Sequence, residues 1–142
     1  MTQQQIQSFY DAAGSRDIDK FLSFFADDGV FKSVSKEETY RGKNELRGMV
    51  QEWMTAFPDG KFKINKLIGN GDTWCAEVSF TGTHQGVLHG PMGDINPTGK
   101  KVDVPSCDVI TFKSGKVQSV NCYFAATVML NQLGLMPMQK AA

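Results

Sequence analysis

Arginine is scarce in this chain and stops early. Arg16, Arg41 and Arg47 are the only three, so the C-terminal two thirds carry no basic stripe of the kind that follows a phosphate backbone. Fifteen basic residues balance fifteen acidic ones, and no excess of either sign recruits nucleic acid or an anionic membrane. No run approaches the roughly 20 apolar residues needed to span a bilayer. The opening Met1-Thr2-Gln3-Gln4-Gln5 lacks the basic start and apolar stretch of a secretory signal. Cysteine is equally sparse: Cys75, Cys107 and Cys122 are odd in number and scattered. That excludes a disulfide framework and points to buried, reduced thiols. No clustered ligand set has metal-site spacing, so no metal is expected. The composition fits a cytoplasmic protein without nucleic-acid or membrane partners.

What the chain does have suits one soluble α+β domain spanning residues 1–142, with 41% hydrophobic and 21% charged residues. Ile6, Phe9, Tyr10 and Ala13 recur at helical spacing. Asp17 is placed to cap a second helix carrying Ile18, Phe21, Leu22, Phe24 and Phe25. Asp27-Asp28-Gly29 then turns into a short strand, Val30 to Val34. A third helix runs from Lys43 to Phe57 and stops at Pro58-Asp59-Gly60. Beyond it the period changes to two. Trp74, Ala76, Val78, Phe80, Gly82 and His84 fall on one face of a long strand. Residues 86–101, punctuated by Gly90, Pro91, Gly93, Pro97 and Gly99, read as a loop. A closing helix spans Ala125 to Leu133 before Gly134. Helices first and an antiparallel sheet afterwards imply helices packed on one face of a curved sheet.

Residues 102–124 read as a hairpin turning at Ser114-Gly115. If Lys113 pairs with Lys116, Phe112 faces Val117, Ile110 faces Ser119, Asp108 faces Asn121 and Ser106 faces Tyr123. Asp108 then sits on an apolar face with Asn121 and Tyr123 beside it. A buried carboxylate must be hydrogen-bonded, protonated or used. In this register Cys107, Cys122, Val109, Val120 and Phe124 form an opposite face that is also apolar. Such a face needs cover, and a homodimer is the economical way to supply it.

The ordered motifs Phe57-Pro58-Asp59, Gly71-Asp72, Gly82-Thr83-His84-Gln85-Gly86, Pro97-Thr98-Gly99-Lys100, Gly115-Lys116-Val117 and Gln132-Leu133-Gly134 resemble the SnoaL-like polyketide cyclases. These are also called ester cyclases, and they lie within the nuclear-transport-factor-2-like superfamily with the ketosteroid isomerases. Phe25-Ala26-Asp27-Asp28 fits the same superfamily. The resemblance implies a cone-shaped α+β domain (a cystatin-like barrel), usually dimeric, with a hydrophobic pocket and cofactor-free aldol ring closure by acid–base catalysis. It also implies an acid–base aspartate nine residues before the last glycine of the Gln-Leu-Gly tag; here that position is Ala125. The isomerase base would fall in Val30-Phe31-Lys32-Ser33-Val34, which holds no carboxylate. The Asp-Arg-Asp set of the related epoxide hydrolases has no arginine after Arg47 to draw on.

Asp108 is therefore the acid–base candidate: in an apolar pocket its carboxyl stays protonated and donates to a carbonyl or enolate oxygen. The competing reading is a carboxyl that simply bonds Asn121, Tyr123 or a loop amide, and a one-residue slip would turn it outward. His84 ends a strand near the expected pocket mouth and suits proton transfer, or it anchors the following loop. His89 reads as solvated, or as part of a lid. Asn121 and Tyr123 are placed to orient a substrate carbonyl, and Tyr10, Phe31, Trp53 and Phe80 to line the pocket or to form ordinary core. Two functions follow. One is a cofactor-independent enzyme acting on a hydrophobic, carbonyl-bearing small molecule, with Asp108 and His84 moving protons. The other, favoured by Ala125, is a dimeric small-molecule-binding module without catalysis.

Overall fold

Thr2 starts the first helix, α1 (Gln3–Ala13), with a reciprocal cap. Its hydroxyl accepts from the Gln5 N–H at 3.2 Å, and the Gln5 side chain accepts from the Thr2 N–H at 2.8 Å. The computed structural model describes residues 2–90 and 93–136; Met1, and Pro91 of the glycine- and proline-rich segment, lie outside them. Helix α1 buries Ile6, Phe9 and Tyr10, as their spacing predicts, with Ala12 in place of Ala13. Helix α2 (Ile18–Leu22) is capped by Asp17, which accepts from the Lys20 N–H at 3.0 Å.

That second helix is shorter than its apolar stripe suggests. Phe25 instead opens strand β1 (Phe25–Ser33), because it pairs with Val117 across the sheet. Strand β2 (Glu38–Arg41), too short to register as a period, folds back on β1. Helix α3 (Gly42–Ala56) follows, burying Leu46, Val50 and Ala56. Then come β3 (Lys61–Asn70), β4 (Thr73–Thr83), the short β5 (Leu88–Gly90) and β6 (Gly93–Ile95), β7 (Lys101–Lys113), β8 (Lys116–Phe124) and helix α4 (Ala126–Gln132). The six-stranded sheet runs β2-β1-β8-β7-β4-β3. Its pairings are antiparallel except β1 with β8, which is parallel. The segment expected to be a loop holds the β5–β6 hairpin.

Two apolar clusters fill the concave side of this α+β fold. One joins Ile6, Phe9 and Tyr10 to Phe25, Val78, Ile110 and Val120. The other joins Phe57 and Phe80 to Leu88, Val104, Met129 and Leu133. Strand β4 places Ala76, Val78, Phe80 and His84 inward, the face its alternation predicts.

The last hairpin corrects the expected register. Its turn is as read, with Lys113 opposite Lys116 and positive φ at both Ser114 (51°) and Gly115 (77°). Phe112 faces Val117, but Thr111 then faces Ser119, so Gln118 is an extra residue in β8. The cause lies in a third strand. Between its pairings of Phe25 with Val117 and Val30 with Ser119, β1 also bulges, and Gln118 Nε2 donates to Asp28 Oδ1 of that bulge at 3.3 Å. Past the bulge every β8 side chain changes face. Asp108 lies opposite Cys122, Ser106 opposite Phe124, and Val120, Cys122 and Phe124 point inward. Asn121 and Tyr123 join Val109 and Cys107 on the outer face, with Tyr123 half exposed. That face is more polar than expected, which removes the main reason for inferring a dimer from the sequence.

Two glycine substitutions test this packing with opposite signs. A Cβ on Gly86 would stand 2.0 Å from the Thr55 carbonyl oxygen at the end of α3, whereas one on Gly48, within the same helix, meets nothing within 4 Å. Urea unfolding should find Gly86→Ala destabilised by about 2 kcal/mol or more. The same measurement should find Gly48→Ala stabilised by about 0.5–1 kcal/mol.

Candidate active site

Strand β7 keeps an unbroken ladder with β4 from Thr111–Thr73 to Lys101–Thr83. Without a bulge, alternation holds, and Val102, Val104, Ser106, Asp108, Ile110 and Phe112 are all buried on one side. Asp108 is only 7% exposed, opposite Ala76 on one flank and Cys122 on the other. In front of it, bounded by α1, α3 and α4, lies a cavity of about 180 Å³. Most of its wall is hydrocarbon and aromatic, including Phe9, Phe21, Met49, Trp53 and Met129. Asp108, Tyr10, Ser106 and Cys122 supply polar groups at its buried end, while Lys36, Tyr40, Glu52 and His89 do so near the rim.

The buried end is organised by one bond. Tyr10 Oη, carried by α1, donates to Asp108 Oδ2 at 2.6 Å. The other oxygen, Oδ1, is buried with no hydrogen-bond partner among the described residues. Burial pushes the Asp108 carboxyl well above the usual carboxylate range, against the smaller opposing effects of the Tyr10 hydroxyl and the Cys122 thiol. Burial and the neighbouring Asp108 likewise push the Tyr10 phenol up. Burial raises the Cys122 thiol as well, and its contact with Ser106 Oγ spans 3.6 Å. Burial thus favours the neutral form of all three groups, with the Tyr10 phenol donating to one oxygen of the Asp108 carboxyl.

Of the residues singled out from the sequence, Asp108, Tyr10, Phe31 and Trp53 line this cavity. Phe80 backs it instead, stacking on Trp53 at 5.0 Å and Phe57 at 5.2 Å between ring centres. Asn121 and Tyr123 are on the opposite face of β8 from Asp108, through the Gln118 bulge. His84 is fully buried and belongs to a different structure. Its Nδ1 accepts from the Thr98 N–H at 3.2 Å and lies 3.0 Å from Thr98 Oγ1. Its backbone bonds Lys100 O and the Gly99 N–H. Burial holds its imidazole below the ordinary histidine range, hence neutral. Ala76, the partner of Asp108, is eight residues before His84, roughly 27 Å along an extended strand. The fold does not bring Asp108 and His84 to one reacting atom; His84 pins the Pro97-Thr98-Gly99-Lys100 segment.

Cys122 and the rim were missed by sequence reading. Val117 and Val120, three apart, are both 1% exposed on the inner side because the Gln118 bulge intervenes, and the same bulge brings Cys122 inward. At the rim, Tyr40 Oη donates to the Glu38 carboxylate, and Lys36 Nζ donates to Tyr40 Oη at 3.3 Å and lies 3.4 Å from that carboxylate. Across the mouth, His89 Nδ1 stands 2.5 Å from Asp94 Oδ1.

The raised Asp108 carboxyl makes a prediction about pH. A carboxyl protonated in the folded chain contributes stability that is complete below the unfolded value and lost as pH rises through its folded value. Asp108→Asn keeps the shape and does not titrate. In urea unfolding, its stability relative to wild type should therefore grow as pH rises above the ordinary carboxylate range. A flat difference would mean an ordinary carboxylate at this position.

Comparison with known proteins places this geometry. A model of the SnoaL-like polyketide cyclase family matches residues 4–133. Among curated proteins, none matches the sequence. Solved structures share the fold at low identity. A protein with a ketosteroid isomerase-like fold from Catenulispora acidiphila, in complex with trimethylamine, is 18% identical, with 96% of each chain covered and a TM-score of 0.80. IdmH from Streptomyces antibioticus, a candidate polyketide cyclase, is 21% identical over 92% of this chain and 96% of its own, with a TM-score of 0.77. TsrD from Streptomyces laurentii is 19% identical over 94% of this chain and 95% of its own, with a TM-score of 0.79. With the family model spanning nearly every element of the fold, from α1 through α4, the chain belongs to the SnoaL-like polyketide cyclase family.

Proposed function

We propose that the protein is a cofactor-independent enzyme that binds a hydrophobic, carbonyl-bearing small molecule and stabilises its enolate, in a cyclase- or isomerase-like reaction. The observation that carries this reading is the buried, partnerless Oδ1 of Asp108 at the end of an apolar cavity. A neutral carboxyl there donates to a carbonyl oxygen. When a proton leaves a carbon conjugated with that carbonyl, negative charge moves onto the oxygen. The hydrogen bond then strengthens in a site from which water is excluded. Tyr10 holds the carboxyl in place through Oδ2 and polarises its proton toward the ligand. The aromatic and methionine walls take up the apolar body of the molecule by burial alone.

A second reading, a binding module without catalysis, has its own supporting observation. Ala125, at the start of α4, packs on the apolar cluster of Phe80 and Met129 and brings no ionisable group to the cavity. The first reading requires a ligand oxygen on Asp108 and proton transfer at carbon; the second requires only that the cavity take up an apolar molecule.

A naphthol tests the oxygen contact that the first reading requires, because its oxygen and flat apolar body mimic an enolate. Fluorescence titration should show 2-naphthol binding to the wild-type chain. Asp108→Leu, similar in shape but unable to donate, should weaken that binding about tenfold or more. Circular dichroism on the same samples checks that the variant is folded. Equal affinity in a folded Asp108→Leu protein would contradict the role given to Oδ1.

A further inference from the structure

The buried end of the cavity can hold an oxygen, yet it holds no base. Burial raises the Asp108 carboxyl, the Tyr10 phenol and the Cys122 thiol, and position 125 is alanine. A base has to come from elsewhere on the cavity wall. Of the chain's two histidines, His84 lies away from the cavity with its Nδ1 engaged by Thr98. His89 lines the cavity.

The β5–β6 hairpin sets His89 directly opposite Asp94. Directly opposed residues share a face, and the carboxylate meets Nδ1 at 2.5 Å. Asp94 therefore fixes both the ring orientation and the tautomer, keeping hydrogen on Nδ1 and leaving Nε2 as the basic nitrogen. Next along the same ladder, Leu88 opposite Ile95 seats the hairpin on the apolar cluster of Phe57 and Phe80. The histidine is thus half exposed on an anchored element, at the mouth of the cavity whose far end carries Asp108.

We propose that the His89–Asp94 pair is the general base of this site, taking a proton from a carbon of the ligand whose conjugated carbonyl oxygen rests on Asp108. The proposal rests on the enolate-stabilising reading above and supplies the proton acceptor that reading lacks. The C–H bond breaks, and its proton goes to His89 Nε2. Its electron pair forms the new C=C bond, and the carbonyl π pair moves to the oxygen held by Asp108 Oδ1–H. The resulting enolate either attacks a second carbonyl of the same molecule, forming a C–C bond while that carbonyl's π pair becomes an alkoxide that takes the proton from Nε2, or takes the proton back from Nε2 at another carbon. No oxidant or reductant enters either outcome.

The groups facing His89 set its pH range. Asp94 on β6 and Glu52 on α3 favour the imidazolium, while Lys36, from the segment joining β1 and β2, opposes it. The hydrogen bond that His89 donates to Asp94 is the largest effect, and it raises His89 above the ordinary histidine value. Base activity should therefore climb as pH rises through that raised value, and Asp94→Asn should move the climb to lower pH.

Exchange of the α-protons of 2-tetralone in deuterated buffer, followed by proton NMR, reads this step without knowledge of the natural substrate. The wild-type chain should accelerate exchange. His89→Gln should slow it about 100-fold or more, and His89→Ala should regain part of the rate when imidazole is added. A purely structural role for His89 gives no such rescue. Exchange that is lost in Asp108→Leu but stays within twofold of wild type in His89→Gln would overturn the assignment of the base and leave the enolate reading standing. No exchange above buffer in the wild-type chain would overturn both and select the binding module.

Discussion

One oxygen of Asp108 has a partner and the other has none, and the arrangement of the cavity follows from that inequality. Tyr10 reaches Oδ2 from α1, across the full depth of the concave face. An ionised carboxylate so placed would leave Oδ1 as a buried, unpaired charge, which is among the most costly arrangements a protein interior can contain. Protonation removes that cost and converts Oδ1 from an acceptor into a donor. The apolar wall that forces protonation is the same wall that excludes water from a bound oxygen. Burial, pKa and binding chemistry here are one constraint seen three ways.

The cavity combines a rigid end and a more open one. Asp108 stands on β7, which is paired without interruption to β4 on one side and, past the Gln118 bulge, to β8 on the other. Tyr10 is held by its packing in the larger apolar cluster. The rim is built from shorter pieces: the β5–β6 hairpin, the Lys36–Glu38–Tyr40 network and the exposed side of α3. Precise placement of a donor suits the first setting, and access for a ligand suits the second.

Much of this was legible in the sequence because it depends on short-range period. The α1 stripe, the inward face of β4 and the turn at Ser114-Gly115 are local patterns, and so is the parity that buries Asp108 on β7. What could not be read depended on partners far along the chain. The Gln118 bulge is set by β1, some ninety residues earlier, through Asp28. A hairpin considered alone gives no reason for it, so Asn121 and Tyr123 were assigned to the face that Cys122 and Phe124 occupy. Phe25 looked helical until its pairing with Val117 drew it into the sheet. The Tyr10–Asp108 bond joins residues 98 positions apart, and no periodicity reports it. The β5–β6 hairpin was hidden in a run of glycine and proline, so His89 read as solvated or as part of a lid, and Asp94 fell unremarked in a segment read as loop. Their pairing emerges only from the ladder.

The central claim is that Asp108 is a neutral acid in the folded protein. The most direct measurement is an infrared difference spectrum of wild type against Asp108→Asn at neutral pH. The account predicts the carbonyl stretch of a protonated carboxyl group in the wild type, absent from the variant, with no corresponding loss of carboxylate bands. A difference spectrum carrying only carboxylate bands would mean that the group is ionised, and the donor role assigned to Oδ1 would be contradicted.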